Sequence, residues 1–270
     1  MKHNNFKETN HPWLALMVGN SHLHWALFVN NTIDTAWDTE HLSASEIAHL
    51  AQTNTLPLSS SSSCPMFLSP RIPITLALAS VVPSQTYIWQ TYPNIRVITL
   101  NQIPITGIYP SLGIDRALAV VGAGRNYGFP VLVIDAGTAL TFTGADANQN
   151  LVGGAILPGL GLQFTSLGQK TGQLPLLKVG EIQELPPRFA LDTKSAIESG
   201  VIYTLLAGIK DFIAHWLLLF TDSQIAITGG DGEFLVIYLK QHYSEIGERI
   251  ILDQNLIFWG MREIIMINQD

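Results

Sequence analysis

Hydrophobic and polar positions alternate along the chain in short runs that predict strands and helices in turn. Two apolar runs, 14–18 and 23–29, flank the turn Gly19-Asn20-Ser21 and predict a β-hairpin. Further strands are predicted at 76–82, 97–100, 131–134, 140–144, 151–157 and 224–227, and helices at 45–53 (capped by Ser43 or Ser45), 114–127, 193–220 (one helix or a pair) and 233–243. This alternation favours an α/β fold with a largely parallel sheet.

One short pattern occurs twice in the chain. The segment 16–21 reads Leu-Met-Val-Gly-Asn-Ser, and the segment 134–139 reads Ile-Asp-Ala-Gly-Thr-Ala. Each is followed by a second apolar strand that can pair back onto the first. The two copies lie 118 positions apart (135 − 17), which leaves room for one subdomain each. Because a strand, a glycine turn and a strand are a common sequence, two unrelated hairpins are the alternative interpretation.

Composition excludes several classes of protein. Of the 270 residues, 47% are hydrophobic and 13% are charged, which excludes disorder as the dominant state. The net charge of −7 offers no basic surface for nucleic acid or anionic lipid. The single cysteine, Cys64, excludes a disulfide framework and a cysteine-based zinc site. The low charge content also suggests that a partner subunit covers part of the surface.

The N-terminal segment 1–11 is polar and is expected to be a flexible tail. The apolar run after it, 13–18, is too short for the core of a secretory signal. The run 212–220 contains His215 and is shorter than the roughly 20 residues of a membrane span. We therefore expect a cytoplasmic protein without membrane association. The serine-rich segment 59–63, next to Cys64, is expected to be a surface loop.

Glycine turns after two predicted strands indicate phosphate binding. A polyphosphate can approach a glycine backbone closely, and an aspartate at the strand end can hold a cation beside it. Asp135, Gly137 and Thr138 fit this description, whereas Met17 cannot bind a hard cation. A third glycine turn, 227–232, follows a strand and opens a helix, as a nucleoside contact would require. Together the turns suggest ATP held in a cleft between duplicated halves.

A fourth motif, Gly113-Ile114-Asp115-Arg116, stands at the start of a predicted helix. A carboxylate here can take a proton from a substrate hydroxyl, and the guanidinium can bind a carboxylate or phosphate. In phosphoryl transfer, such an aspartate orients and deprotonates the attacking alcohol. An acidic residue also stabilises the first turn of a helix by itself, so a structural role is the alternative.

Seven motifs follow one another in the chain, at 17–21, 113–116, 135–139, 153–159, 171–175, 193–200 and 228–231. In this order they resemble the type III pantothenate kinases, also called the Bvg accessory factor family. The resemblance covers about residues 14–232. It implies an α/β fold of duplicated ribonuclease-H-like halves, as in the actin, sugar-kinase and acetate-kinase superfamily, with a cleft between them. We expect the halves at 12–128 and 129–270.

The resemblance also implies an activity. It is ATP-dependent phosphorylation of pantothenate to 4′-phosphopantothenate, the first step of coenzyme A biosynthesis. The implied cofactors are Mg²⁺, bound with ATP, and a monovalent cation, K⁺ or NH₄⁺. The implied assembly is a homodimer with the site near the interface.

Individual residues match the family's functional positions. Asp115 matches the proton acceptor for the pantothenate hydroxyl, Asp135 the monovalent-cation ligand and Thr138 an ATP contact. Thr193 matches a pantothenate contact near the subunit interface. The other matched positions are, for pantothenate, Tyr109, Gly113, Ile114 and Arg116, and, for ATP, Met17, Val18, Gly19, Asn20, Ser21, His22, Leu23 and His24. The family usually places its tyrosine further from the Gly-x-Asp-Arg motif than Tyr109 is here.

Position 17 departs from the family's pattern, because Met17 stands where relatives carry an aspartate near magnesium. One consequence is that Mg²⁺ is held chiefly by ATP and water; another is reduced activity. A third is a regulator that binds pantothenate or nucleotide without efficient turnover. A kinase of the same fold for another small alcohol is a further alternative.

Overall fold

A computed structural model describes residues 12–53, 74–182 and 184–267 of the chain. The expected tail 1–11 and the expected loop at 59–63 with Cys64 lie outside the described residues. In chain order, the elements are β1 (Trp13–Val18), β2 (Leu23–Val29), β3 (Thr32–Thr39), α1 (Ala44–Thr53), β4 (Thr75–Ser80), α2 (Pro83–Trp89), β5 (Ile95–Val97), α3 (Ile114–Tyr127), β6 (Val131–Ala136), β7 (Ala139–Ala145), β8 (Leu151–Pro158), α4 (Leu160–Lys170), α5 (Thr193–Leu219), β9 (Gln224–Thr228), α6 (Gly232–His242), α7 (Ser244–Gly247), β10 (Ile250–Leu252) and α8 (Leu256–Ile267).

These elements form two compact units. The first contains the described residues up to Gly122 and those from Asn255 onward, so that α8 belongs to it. The second is Ala123–Gln254. The sequence-based halves, 12–128 and 129–270, concern the duplication of the chain and stay a prediction.

The two units contain sheets of the same topology. Their strand orders are β3-β2-β1-β4-β5 and β8-β7-β6-β9-β10. In each sheet, the first three strands pair antiparallel and the next two are added in parallel. The expectation of a largely parallel sheet is wrong, because turns too short for a crossover join the first three strands of each unit. Met17 is the fifth residue of β1 and Asp135 the fifth of β6, so the repeated pattern occupies equivalent places.

The core of the first unit is rich in tryptophan. All six residues of β1 are buried, as expected for the central strand of a sheet that is covered on both faces. Trp25 stacks on Trp37 with ring centroids 6.0 Å apart and meets Trp89 edge-on at 5.5 Å. Helix α1 covers this core. Of the two cap residues predicted for it, Ser43 is confirmed. The Ser43 hydroxyl accepts the Glu46 N–H at 3.3 Å, and the Glu46 carboxylate accepts the Ser43 N–H at 2.7 Å.

Helix α5 is the long helix of the second unit and runs unbroken over 27 residues. The Asp192 side chain caps it by accepting the Ser195 N–H at 2.9 Å. Its buried residues, including Ile202 and Ile209, pack into the core of this unit. Among the described residues, α5 is the one helix long and apolar enough to cross a membrane, with a mean hydropathy of 1.4 over 18 residues. Core helices of soluble proteins also meet these criteria, so α5 alone assigns no membrane.

Candidate functional site

The turn between β1 and β2 is compact and presents its backbone to solvent. The N–H of Gly19 donates to the carbonyl of His22 at 3.0 Å. A Cβ at Gly19 would lie 3.2 Å from the His22 carbonyl oxygen and 3.3 Å from Nε2 of His24. Asn20 and Ser21 at the tip are exposed. A glycine at position 19 therefore allows the turn to close with the His24 ring against it.

Met17 occupies the end of β1 as an apolar residue, with only 2% of its surface exposed. It lies directly opposite His24 on β2, and His24 lies opposite Asp38 on β3. Directly opposed residues project from the same face of a sheet, so Asp38, His24 and Met17 form one row across three strands. The neighbours Val18 and Leu23 are buried in the core below the turn. Their side chains serve packing, and the exposed part of the predicted ATP-binding segment is 20–22.

Asp115 lies in the first turn of α3 and is partly buried. Its Oδ1 accepts the Arg116 N–H at 2.8 Å. Burial raises the pKa of the Asp115 carboxyl, and the N–H and the positive charge of Arg116 oppose that rise. A Cβ on Gly113 would collide with Oδ1 of Asp115, so a glycine is needed two residues before it. A buried carboxylate of raised pKa is a stronger base than an exposed aspartate.

Arg116 and Tyr109 lie side by side in the first unit. The Arg116 guanidinium donates from Nη1 to the Tyr109 hydroxyl at 3.2 Å. Arg116 is 6% exposed, whereas Tyr109 is 40% exposed. Ile114, between Gly113 and Asp115, is buried and packs into the core. Tyr109 therefore contacts Arg116, although it stands nearer to the Gly-x-Asp-Arg motif than the tyrosine of the family usually does.

Asp135 is the last but one residue of β6 and lies beside two glycine turns of the second unit. A Cβ on Gly229 would lie 2.6 Å from Oδ1 of Asp135, and a Cβ on Gly137 would lie 3.6 Å from it. Gly229 also has a φ of +88°, a conformation that favours glycine. The carboxylate therefore lies against two glycine turns, and its own oxygens are ligands of the hard type that a cation such as K⁺ or Mg²⁺ takes.

The turn that carries Thr138 is held in place by Gly159. The Gly159 N–H donates to the Thr138 carbonyl at 2.9 Å. A Cβ on Gly159 would collide with the Gly137 carbonyl oxygen. Gly159 is the last residue of the motif at 153–159, so this motif supports the turn that carries Thr138. The motif is visible in the sequence, but this contact is not.

Asp231 is a further acidic residue at this turn, and sequence reasoning assigned it no role. Its N–H donates to the Ala136 carbonyl at 2.9 Å. Burial raises the pKa of its carboxyl. Asp231 precedes α6, yet its side chain does not cap that helix. In the sequence, the feature that could have identified Asp231 is its place as the last residue of the Thr-Gly-Gly-Asp motif at 228–231.

Thr193 is the first residue of α5 and is exposed. It directly follows the capping residue Asp192. The hydroxyl of Thr193 is therefore carried by a rigid helix end and is open to a ligand or to another chain.

The residues present suit a magnesium ion that is held mainly by its nucleotide. Among the described residues, no group of three or more His, Cys, Asp or Glu side chains is placed to hold a metal ion. Mg²⁺ usually keeps several waters and binds through one or two carboxylates and substrate phosphates. Asp135, with an oxygen ligand at a glycine turn, suits a cation beside phosphate.

Comparisons with known proteins agree on one family. The family model for type III pantothenate kinase matches residues 13–215. A type III pantothenate kinase of Nostoc sp. is 56% identical over 265 residues, covering 96% of each chain. One of Synechocystis sp. is 46% identical over 253 residues, covering 94% of this chain and 90% of the relative.

Solved structures confirm the expected fold. A Baf family transcriptional activator of Campylobacter jejuni has a TM-score of 0.58 at 22% identity, covering 95% of this chain and 98% of that one. MreB 5 of Spiroplasma citri, solved with AMPPNP, has a TM-score of 0.52 at 10% identity, covering 97% and 98%. At these identities the likeness shows the fold alone, which is that of the actin and sugar-kinase superfamily.

Proposed function

Since this chain belongs to the type III pantothenate kinase family, we propose that it transfers the γ-phosphoryl group of ATP to pantothenate. The product is 4′-phosphopantothenate, and the reaction is the first step of coenzyme A biosynthesis. The family match over 13–215 and the 56% identity to the Nostoc kinase support this activity. In the structure, the supporting observation is the partly buried Asp115 carboxylate in the first turn of α3, whose pKa is raised by burial, as suits a proton acceptor.

Asp115 accepts the proton of the pantothenate hydroxyl as its oxygen attacks the γ-phosphorus. The bond from that phosphorus to the β,γ-bridging oxygen breaks, ADP leaves and the proton stays on Asp115. Arg116 binds the carboxylate of pantothenate, and the Tyr109 hydroxyl, 3.2 Å from Nη1, orients the guanidinium. Gly113 keeps the space that the Asp115 carboxylate occupies. Mg²⁺, when bound with ATP, offsets the negative charge of the phosphates.

The ATP contacts proposed are the exposed backbone of the turn 19–22 with His24, and Thr138 in the equivalent turn of the second unit. Asp135 would hold K⁺ or NH₄⁺, because its carboxylate lies against the turns of Gly137 and Gly229. Met17 contributes no metal ligand, and as a buried side chain it supports the turn from below.

The assembly we propose is a homodimer with Thr193 and the pantothenate site near the interface. Support comes from the low charge content and from apolar side chains exposed in the second unit. Val152 and Ile156 are 48% and 65% exposed on β8, an edge strand. The net charge of −7 supports a cytoplasmic enzyme that binds neither nucleic acid nor membrane.

A coupled assay of ADP release over a panel of small alcohols tests this function. Pantothenate is expected to give the highest kcat/KM, and Asp115→Asn is expected to abolish most of the turnover. Faster turnover of another alcohol would identify a different kinase of the same fold. Calorimetric binding of pantothenate without ADP release would instead favour the regulator.

A further inference from the structure

Three histidines surround the glycine turn of the first unit, and each has a defined contact. Nδ1 of His24 lies 2.7 Å from Oδ1 of Asp38. Nε2 of His22 lies 3.7 Å from a carboxylate oxygen of Glu40. Nε2 of His41 lies 3.3 Å from the carbonyl oxygen of Asn20, to which it donates. The closest of these contacts is that of His24 with Asp38.

The Asp38 contact determines which ring nitrogen of His24 faces the turn. An ionised carboxylate only accepts hydrogen bonds, so Nδ1 of His24 carries the proton in this contact. The opposite nitrogen, Nε2, lies against the turn, 3.3 Å from the position of a Cβ on Gly19. A carboxylate that holds one nitrogen of an imidazole fixes the orientation of the ring and the role of the other nitrogen.

Asp38 reaches His24 because Met17, His24 and Asp38 lie in one row across β1, β2 and β3. Met17, the other cross-strand neighbour of His24, is apolar and offers no carboxylate. Of the two cross-strand neighbours of His24, only Asp38 on β3 carries a negative charge. When the His24 ring carries both protons, its Nε2 is a hydrogen-bond donor as well.

We propose that Asp38 is a positioning residue, which holds His24 so that its Nε2–H donates to a phosphate oxygen of the bound nucleoside triphosphate. This inference rests on the proposed ATP contact of the turn 19–24. It adds a residue outside every motif of the chain.

His22 is a second titratable group near His24. The His22 ring lies 6.5 Å from the His24 ring, centroid to centroid, and is paired with Glu40. Helix α8 packs on the same face of the sheet through Trp259, whose ring meets Phe28 at 6.0 Å. Its charged residues Arg262 and Glu263 pair with each other at 2.9 Å. The contact of Asp38 with the His24 ring is the one that the positioning role uses, at 2.7 Å from Oδ1 to Nδ1.

The test compares Asp38→Asn with Asp34→Asn, a change of another exposed aspartate on the same strand. Asp38→Asn is expected to raise KM for ATP about three- to tenfold at neutral pH and to leave KM for pantothenate unchanged. Asp34→Asn is expected to behave as the natural protein.

A second pair of variants separates positioning from a general effect on the fold. In His24→Lys the cation no longer depends on a carboxylate, so adding Asp38→Asn to it is expected to leave KM for ATP unchanged. A full effect of Asp38→Asn in that background, or no effect in the natural protein, would overturn the proposal. Binding of a non-hydrolysable ATP analogue, followed by calorimetry, gives the same comparison without turnover. Failure of the proposed function would appear as absent turnover of pantothenate, whereas failure of this inference would appear as normal turnover with no change in Asp38→Asn.

Discussion

A Cβ atom on Gly229 would lie 2.6 Å from Oδ1 of Asp135, although 94 positions (229 − 135) separate the two residues. The register of β6 and β9, which pairs Asp135 with Thr228, brings them together. Two motifs therefore form one structure at the end of β6, where the carboxylate lies against a glycine turn.

Gly229→Ala is expected to damage this structure, while Gly230→Ala is the matched control. Alanine at position 229 meets both the Asp135 carboxylate and a φ of +88°, whereas a Cβ at 230 meets nothing within 4 Å. Gly229→Ala is expected to cost about 1–3 kcal/mol of unfolding free energy, seen as a lower Tm, and Gly230→Ala much less. Equal Tm values for the two variants would contradict the close contact.

Asp115→Asn is expected to lower kcat about 100-fold or more, because the amide cannot accept the substrate proton. KM for pantothenate is expected to change less. Steady-state kinetics with both substrates check this outcome. Near-normal kcat in Asp115→Asn would remove Asp115 from the role of base.

The raised pKa of Asp115 also predicts how stability responds to pH. Because the folded pKa lies above the unfolded one, the folded state binds this proton more tightly. The contribution of Asp115 to stability is therefore fully present below its unfolded pKa and is lost as the pH rises through its folded pKa, so that at neutral pH the partly buried charge is unfavourable. Asp115→Asn is expected to have a Tm at pH 7 equal to or above that of the natural protein. In thermal scans, a clearly lower Tm would mean that the charge is stabilised in the fold.

Potassium or ammonium is expected to activate the enzyme through Asp135. Replacing K⁺ by Na⁺ or by a bulky organic cation at constant ionic strength is expected to depress the rate. Asp135→Asn is expected to lose this response, because the amide is a weaker ligand for a cation than the carboxylate. Equal rates of the natural protein in all these salts would exclude a monovalent cation at Asp135.

A homodimer is expected in solution, with about twice the chain mass by light scattering at micromolar concentration. A charge placed on the exposed apolar face of the edge strand β8, as in Ile156→Glu, is expected to weaken assembly if that face is covered. The matched control is Leu218→Glu, another exposed apolar residue. A monomer that phosphorylates pantothenate normally would exclude a site shared between subunits.

Met17→Asp restores the carboxylate of the family and is expected to lower KM for ATP, or raise kcat, several-fold at saturating magnesium. Position 17 is buried, so the new charge is expected to lower Tm unless it finds a partner. The new carboxylate would face His24, which lies directly opposite on β2. Side-by-side ATP titration of both proteins measures the effect. If only Met17→Asp turns over pantothenate, the natural chain is better explained as a regulator that binds pantothenate or nucleotide. If the two proteins give identical titrations, Met17 has no effect on the use of ATP.

Local signals in the sequence were sufficient for several elements. The helix 114–127 and the hairpin of β1 and β2 were predicted within a residue of their bounds, because apolar runs there end at glycine or polar turns. The β3 strand was missed, since its outer face is exposed and polar and its pattern resembles a loop. Helices α4 and α8 were also missed, and α5, left open as one helix or a pair, is one helix.

The sequence by itself determined the family, the duplicated fold and the named candidates Asp115 and Asp135, because ordered motifs carry that information along the chain. Only the tertiary structure decided that Asp38 holds His24 and that Gly229 lies against Asp135. These contacts depend on the register of strands that are distant in the sequence. That register is set by the packing of whole sheets, and no local pattern of residues encodes it.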